Sequence, residues 1–260
     1  MIASYHTHTY RCRHAFGTEE EYIEKAIAEG VEILGFSDHA PMPYKNGYVS
    51  NYKMTPQEIG EYFESLISLR EKYKDKIEIK IGFETEYYPS LWESSLALWR
   101  KFPIDFLILG QHFVPEERGD GCVHTLMATE NKDVVICYVD QIIAGMRSGV
   151  ISCVAHPDII NYVGEDTEFF VKEMQRLILE AIRLGIPLEY NLLGMSDGRT
   201  YPKDFFWREA ARLGAAAVIG CDSHSPERVA KADEVKKAEE YLVNLGVNVL
   251  KKIELKKVLL

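Results

Sequence analysis

Seven of the eight histidines in this chain stand at or just beyond the ends of short apolar runs, in company with carboxylates at ligand spacing. His6 and His8 make an H-x-H pair, and Asp38 adjoins His39. Glu84, His112 and His156 each follow an apolar run, and Asp222-x-His224 follows the last one. His14 lies a little beyond the first pair, whereas His124 sits apart in a long loop and is read as a non-ligand. On an extended segment, residues two apart project to the same side. One metal ion can therefore take both imidazoles of H-x-H, or the mixed pair of D-x-H. A single histidine of this kind is more often a hydrogen-bonded structural residue. The whole set, with Glu84 and Asp222, exceeds the ligands that one zinc ion takes, so more than one ion with a bridging carboxylate is implied.

The apolar runs that position these residues are Ile2–Tyr5, Glu32–Ser37, Ile77–Phe83, Ile104–Leu109, Ile151–Ala155, Ile186–Tyr190 and Ala215–Gly220. They are short and nearly continuous in hydrophobicity, as strands buried on both faces of a parallel sheet are. Between them lie stretches with helix punctuation. Thr18 with Glu21 spells a capping box, and Thr55-Pro56 with Glu58 repeats it with proline in the first turn. Ser225-Pro226 opens a segment running to Leu245, which Gly246 is placed to close. Further helices are expected over 91–101, 131–148, 167–184 and 202–213. Strands alternating with helices predict an α/β fold over 1–260 as one domain, a (β/α) barrel with seven units; a doubly wound open sheet fits the same periodicity. In either, the carboxyl ends of the strands share one face, which collects the histidines.

Composition narrows the partners. The chain has 40 Asp+Glu against 30 Lys+Arg, a formal charge of −10, which disfavours a nucleic-acid polymer or an anionic membrane surface. Five scattered cysteines without a C-x-x-C pair read as reduced thiols, and the polar N-terminal stretch does not read as a signal peptide; a cytoplasmic protein is expected. Cys12 and Cys221 lie near the histidines, but core packing is the expected role of Cys221, which projects opposite to Asp222.

HTH at His6–His8, SDHAP at Ser37–Pro41, GFE at Gly82–Glu84, GQH at Gly110–His112, AHP at Ala155–Pro157 and GCDSHSPE at Gly220–Glu227 occur in this order along nearly the whole chain. Together they resemble the polymerase-and-histidinol-phosphatase (PHP) family of metal-dependent phosphoesterases. SDHAP, EYN at Glu189–Asn191 and SHSPERV are similar to its stand-alone histidinol-phosphatase branch. The resemblance implies a distorted (β/α)7 TIM-like barrel with three divalent ions, of zinc, manganese or iron. It implies a first ion on His6, His8, Glu84 and Asp222, a second sharing Glu84 with His112 and His156, and a third on His14, His39 and His224. Glu84, Asp222 and His39 are then the catalytic residues, Glu84 being both bridge and electrostatic tuner.

The implied reaction is hydrolysis of a small phosphate monoester, L-histidinol phosphate first, by a hydroxide between two ions, with the third ion gripping the phosphate. Asp38 either orients His39 or caps a turn. Arginine suits phosphate oxygens, and Arg199 in the loop after the sixth strand is the first candidate, then Arg228; Arg11 and Arg13 also lie near the rim. Glu86, Asp158 or Asp197 could meet a substrate ammonium, and Tyr44, Tyr48 or Phe113 could wall its organic end. The chain departs from the family pattern at Asn161, where a basic residue is usual after the HP motif. Competing readings are a PHP-type phosphodiesterase or nuclease, a non-catalytic metal-binding regulatory module, and a mononuclear amidohydrolase-type hydrolase. Acidic charge argues against polymeric substrates, and the complete ligand set argues against a lost activity.

Overall fold

Each of the seven apolar runs contains a strand in the computed structural model, which describes residues 1–45 and 47–258. In chain order they are β1 (Ala3–Ser4), β2 (Ile33–His39), β3 (Glu78–Thr85) and β4 (Phe106–Leu109). A short hairpin of β5 (Phe113–Val114) and β6 (Val123–His124) follows, then β7 (Ile151–Val154), β8 (Leu188–Asn191) and β9 (Ala216–Gly220). The hairpin and a last strand, β10 (Asn248–Val249), had no signal strong enough to read in the sequence. Strands β2 and β3 run two residues further than their apolar runs, so Asp38, His39 and Glu84 lie inside strands.

The helices are α1 (Glu19–Ala28), α2 (Ile59–Tyr73), α3 (Trp92–Trp99), α4 (Lys132–Arg147), α5 (Thr167–Leu184), α6 (Leu192–Ser196), α7 (Asp204–Leu213) and α8 (Ala232–Leu245). The Thr18 capping box forms as expected, with the Glu21 amide 3.3 Å from Thr18 Oγ1 and the Thr18 amide 2.7 Å from Glu21 Oε2. The segment opened by Ser225-Pro226 is a correction. It makes only a single 3-10 turn, Pro226–Arg228, and the helix begins at Ala232. Between them Ala230 turns left-handed, φ 48°, and donates its amide to Cys221 Sγ at 3.3 Å. Arg228 therefore sits in a turn, not within a helix.

The strands join in the order β1-β2-β3-β4-β7-β8-β9-β10, all parallel. A doubly wound sheet reverses its strand order partway; this one never does, so successive right-handed crossovers curl it in one direction. The result is a distorted TIM-like barrel. Its interior is packed by Tyr5, Phe106, Ile108, Cys153 and Val218. Closure differs at the two ends. At the carboxyl rim the segment after β1 meets the segment after β9, Thr7 bridging Ser223, with the His8 amide 2.9 Å from the Ser223 carbonyl. At the other end β10 pairs with β9, and Ile253 and Leu255 of the tail pack under the interior cluster. Among the described residues no helix is long and apolar enough to cross a membrane.

Candidate metal centre

Rim closure between Thr7 and Ser223 sets the H-x-H pair directly beside D-x-H. His6 Nε2 and His8 Nε2 lie 3.1 Å apart. Glu84 Oε2 is 3.5 and 3.6 Å from them, and Asp222 Oδ1 is 3.5 and 3.1 Å away. Two ligands at ordinary zinc bond lengths around a tetrahedral ion stand roughly 3.3 Å apart, so these spacings fit four donors around one cation. Three of the four carboxylate–imidazole spacings, at 3.5 to 3.6 Å, are too long for good hydrogen bonds. The second oxygen of the same carboxylate, Glu84 Oε1, faces His156 Nε2 at 2.8 Å and His112 Nε2 at 3.7 Å. A third grouping joins His14 and His224, whose Nε2 atoms are 3.0 Å apart. His39 stands between the groupings: Nδ1 lies 2.9 Å from Glu84 Oε2, while its ring is 5.4 Å from His14 and 6.4 Å from His224. All nine residues proposed from the sequence as ligands are thus brought together.

His14 Nε2 and His224 Nε2 face each other at 3.0 Å while both Nδ1 atoms are turned to carbonyl oxygens, and a cation between the two lone pairs satisfies both, so this donor set fits divalent ions. The backbone is shaped for the same purpose. His156 and Asp222 both turn left-handed, φ 30° and 49°, at strand ends where ordinary residues would stay extended. A Cβ on Gly110 would lie 1.9 Å from Glu84 Oε1, and one on Gly220 would lie 1.8 Å from Glu189 Oε1. Only glycine leaves room for these two buried carboxylates.

Electrostatics divides the imidazoles. Burial opposes charge on His6, but Glu189, Asp222 and Glu84 outweigh it and hold that ring well above its ordinary pKa. Burial likewise opposes charge on His8, which Asp222 and Asp38 hold at about 9. His14 and His224 go the other way, lowered first by burial and then by His8, His224 to about 3. Burial would protonate Glu84 and Asp222, yet the surrounding imidazoles keep both well below the usual carboxylate range.

Outer partners fix which nitrogen points inward. His6 Nδ1 is 2.8 Å from Glu189 Oε1, His14 Nδ1 is 2.7 Å from the Cys12 carbonyl, and His224 Nδ1 is 3.0 Å from the Asp222 carbonyl. Glu189 also accepts the His156 amide at 3.1 Å and Asn191 Nδ2 at 2.9 Å, and Asn191 reaches Asp222 at 3.1 Å. Glu189 belongs to the EYN motif, and its signal along the chain is a carboxylate inside an otherwise apolar strand. Asp38 takes a bond from Thr9 Oγ1 and lies 3.5 Å from His8 Nδ1. It receives the His39 amide at 2.8 Å and does not touch that ring, so it serves the first pair and the local turn.

The centre opens into a cavity of about 800 Å³ lined by His14, His39, His112, Asp222, His224, Arg199 and Arg228, among others. Both arginines hold Asp197, Arg199 at 3.3 Å and Arg228 at 2.7 Å. Of the three carboxylates considered for an ammonium, only Asp197 lines this cavity. Glu86 is buried against Lys53 at 2.7 Å, and Asp158 accepts the Lys203 amide at 2.5 Å. Arg11 is buried against Glu19 and Glu61, and Arg13 pairs with Glu58, so neither joins the cavity wall. Tyr44 and Tyr48 bind Glu117, and the aromatic lining is Phe113 with Phe16, Tyr52, His124 and Tyr201. Asn161 ties the 125–129 segment, giving Nδ2 to the Leu126 carbonyl at 3.2 Å. Cys221 is buried and accepts an amide, as core packing requires. A groove of about 930 Å³ between α3, α4 and α5 is larger, but arginine–carboxylate pairs line it and no imidazole does.

The sequence matches the PHP domain family over residues 4–192. It is 26% identical over 242 residues to a probable histidinol-phosphatase of Deinococcus radiodurans, covering 90% of this chain and 92% of that one. To the histidinol-phosphatase of Bacillus subtilis it is 24% identical over 256 residues, covering 88% and 96%. The fold is similar to the crystal structure of histidinol phosphate phosphatase from Lactococcus lactis, complexed with zinc, L-histidinol and phosphate. That likeness has a TM-score of 0.74 at 21% identity and covers 97% of this chain and 98% of that one. The chain therefore belongs to the PHP family, and its likeness runs to the histidinol-phosphatases within it.

Proposed function

We propose that this protein, a metal-dependent phosphoric monoester hydrolase, acts on L-histidinol phosphate, releasing L-histidinol and phosphate at a centre of three divalent ions. The observation that carries the reading is the run of donors joined by Glu84: His6, His8 and Asp222 beside one oxygen, His112 and His156 beside the other, and a further imidazole pair at the cavity mouth. Bound divalent ions would acidify a water molecule toward hydroxide and withdraw charge from the phosphoryl oxygens. His6, His8, Glu84 and Asp222 would hold the first ion, Glu84, His112 and His156 the second, and His14, His39 and His224 the third. Glu84, Asp222 and His39 face the reacting atoms. Arg199 and Arg228 supply planar donors for phosphate oxygens at the cavity edge, and Asp197 between them orients both. The similarity to named histidinol-phosphatases supports the choice of ester.

The test joins elemental analysis to turnover of histidinol phosphate, p-nitrophenyl phosphate, a bis ester and AMP. Preference for histidinol phosphate with close to three ions per chain is expected. Turnover of the diester alone sinks the monoesterase reading, and a stoichiometry near one ion sinks the trinuclear centre.

A further inference from the structure

Glu117, in the hairpin between β5 and β6, is a buried carboxylate that the metal centre does not use. It is 4% exposed and accepts four hydrogen bonds: Tyr44 Oη at 2.6 Å, Tyr48 Oη at 2.7 Å, Ser50 Oγ at 2.7 Å and Lys53 Nζ at 2.6 Å. Every donor comes from the connection between β2 and α2. Lys53, 3% exposed, also lies 2.7 Å from Glu86 Oε2, and Glu86 Oε1 accepts the His112 amide at 3.2 Å. One carboxylate thus ties this connection to the hairpin and, through Lys53 and Glu86, to the strand end that bears His112.

The same two segments supply one aromatic wall of the cavity, apart from Phe16 and Tyr201. Tyr52 comes from the connection, and Phe113 and His124 from the hairpin. Tyr52 lies 5.8 Å from Phe113 and 6.3 Å from His124, and Phe113 lies 4.8 Å from His124. Tyr52 is 45% exposed and Val49 59%, so apolar burial at these two positions adds little hold. Such a wall recognises a flat, unsaturated group by stacking, and it works only while the two segments keep their spacing.

We propose that Glu117 is a positioning residue that sets specificity for the organic half of the ester by clamping the Tyr52 segment to the Phe113–His124 hairpin. The phosphate half is held by the ions and arginines and does not depend on the clamp. This inference rests on the phosphomonoesterase reading. Glu117→Gln keeps the side-chain volume and removes the charge that four donors share. KM for histidinol phosphate should rise about tenfold or more, as expected when a buried charged hydrogen bond is weakened. Inhibition by inorganic phosphate should stay within about twofold, and metal content should not change, because Lys53 keeps its pairing with Glu86, which in turn keeps the His112 amide. A parallel weakening of phosphate inhibition, or an unchanged KM, overturns the proposal. If Glu117→Gln does not fold, the double variant Tyr48→Phe with Ser50→Ala removes two donors, and the same split is expected. Hydrogen exchange over residues 47–55 reads the clamp without turnover: faster exchange in Glu117→Gln supports it and unchanged exchange overturns it. A parent protein that fails to hydrolyse histidinol phosphate would instead defeat the functional reading, with the exchange result still deciding the clamp.

Discussion

At the scale of single residues, the centre depends on Glu84 presenting one oxygen to each of two donor groups. Glu84→Gln keeps the shape but loses charge and bridging power. Metal content by elemental analysis and turnover should both collapse; a variant that kept full turnover would refute the assignment. Gly110→Ala tests the same point from outside the ligand set. Its methyl group would fall 1.9 Å from Glu84 Oε1, so the carboxylate must move. A displacement of about 1 Å costs on the order of 10²-fold in kcat, with the circular dichroism spectrum unchanged. Removing the partner of His6 Nδ1 with Glu189→Gln should weaken metal affinity by about 10–100-fold in chelator competition.

At the scale of elements, Glu117 and Lys53 join a connection and a hairpin that share no sheet. Burial would raise the Glu117 carboxyl, but Lys53, Tyr44 and Tyr48 outweigh it and hold it at about 2. A carboxylate depressed in the folded state adds stability above its ordinary pKa of about 4.5 and loses it as pH falls toward 2. The stability gap between the parent and Glu117→Gln, from urea midpoints, should therefore be full at pH 6 and shrink steadily below pH 4.5. A gap that stays constant would show that charge is not what Glu117 contributes. Gly185, which ends α5 at φ 64°, provides a contrast far from the cavity. Gly185→Ala should cost about 1 kcal/mol of stability through its left-handed backbone and leave turnover unchanged.

At the scale of the whole molecule, ligands from six separate strand ends and the connections after them meet at one rim. Ions that bind only the folded chain stabilise it by mass action, about 2.7 kcal/mol at a hundred times Kd. Chelation should lower Tm by several degrees, with recovery on adding zinc or manganese; an unchanged Tm would mean that the rim is already settled without ions. The opposite end is closed without metal ligands, by β10 pairing with β9 and by Ile253 buried under the interior cluster. Ile253→Ala should cost about 2–3 kcal/mol and leave metal content intact, separating the two ends of the barrel.

The chemistry was legible in the sequence because its carriers are local. H-x-H, D-x-H and the carboxylate ending an apolar run each declare themselves within a few residues, and period-two geometry alone aims them together. The strands were legible for the same reason, since burial on both faces leaves nearly unbroken apolar runs. Residues defined by distant partners were not. Glu189 is a single acidic position in a strand until His6, far away in sequence, is placed 2.8 Å from it. Glu117 carries no signal along the chain, and Arg11 reads as lying near the rim, because only packing shows which charges they meet. The break after Arg228 escaped notice because it depends on Ala230 reaching Cys221. Barrel and open sheet share one periodicity, and the choice between them was made by strand order and by the Thr7–Ser223 closure. Spacing along the chain determined what the donors are, whereas curling the sheet decided which of them share an ion and which charges stand behind them.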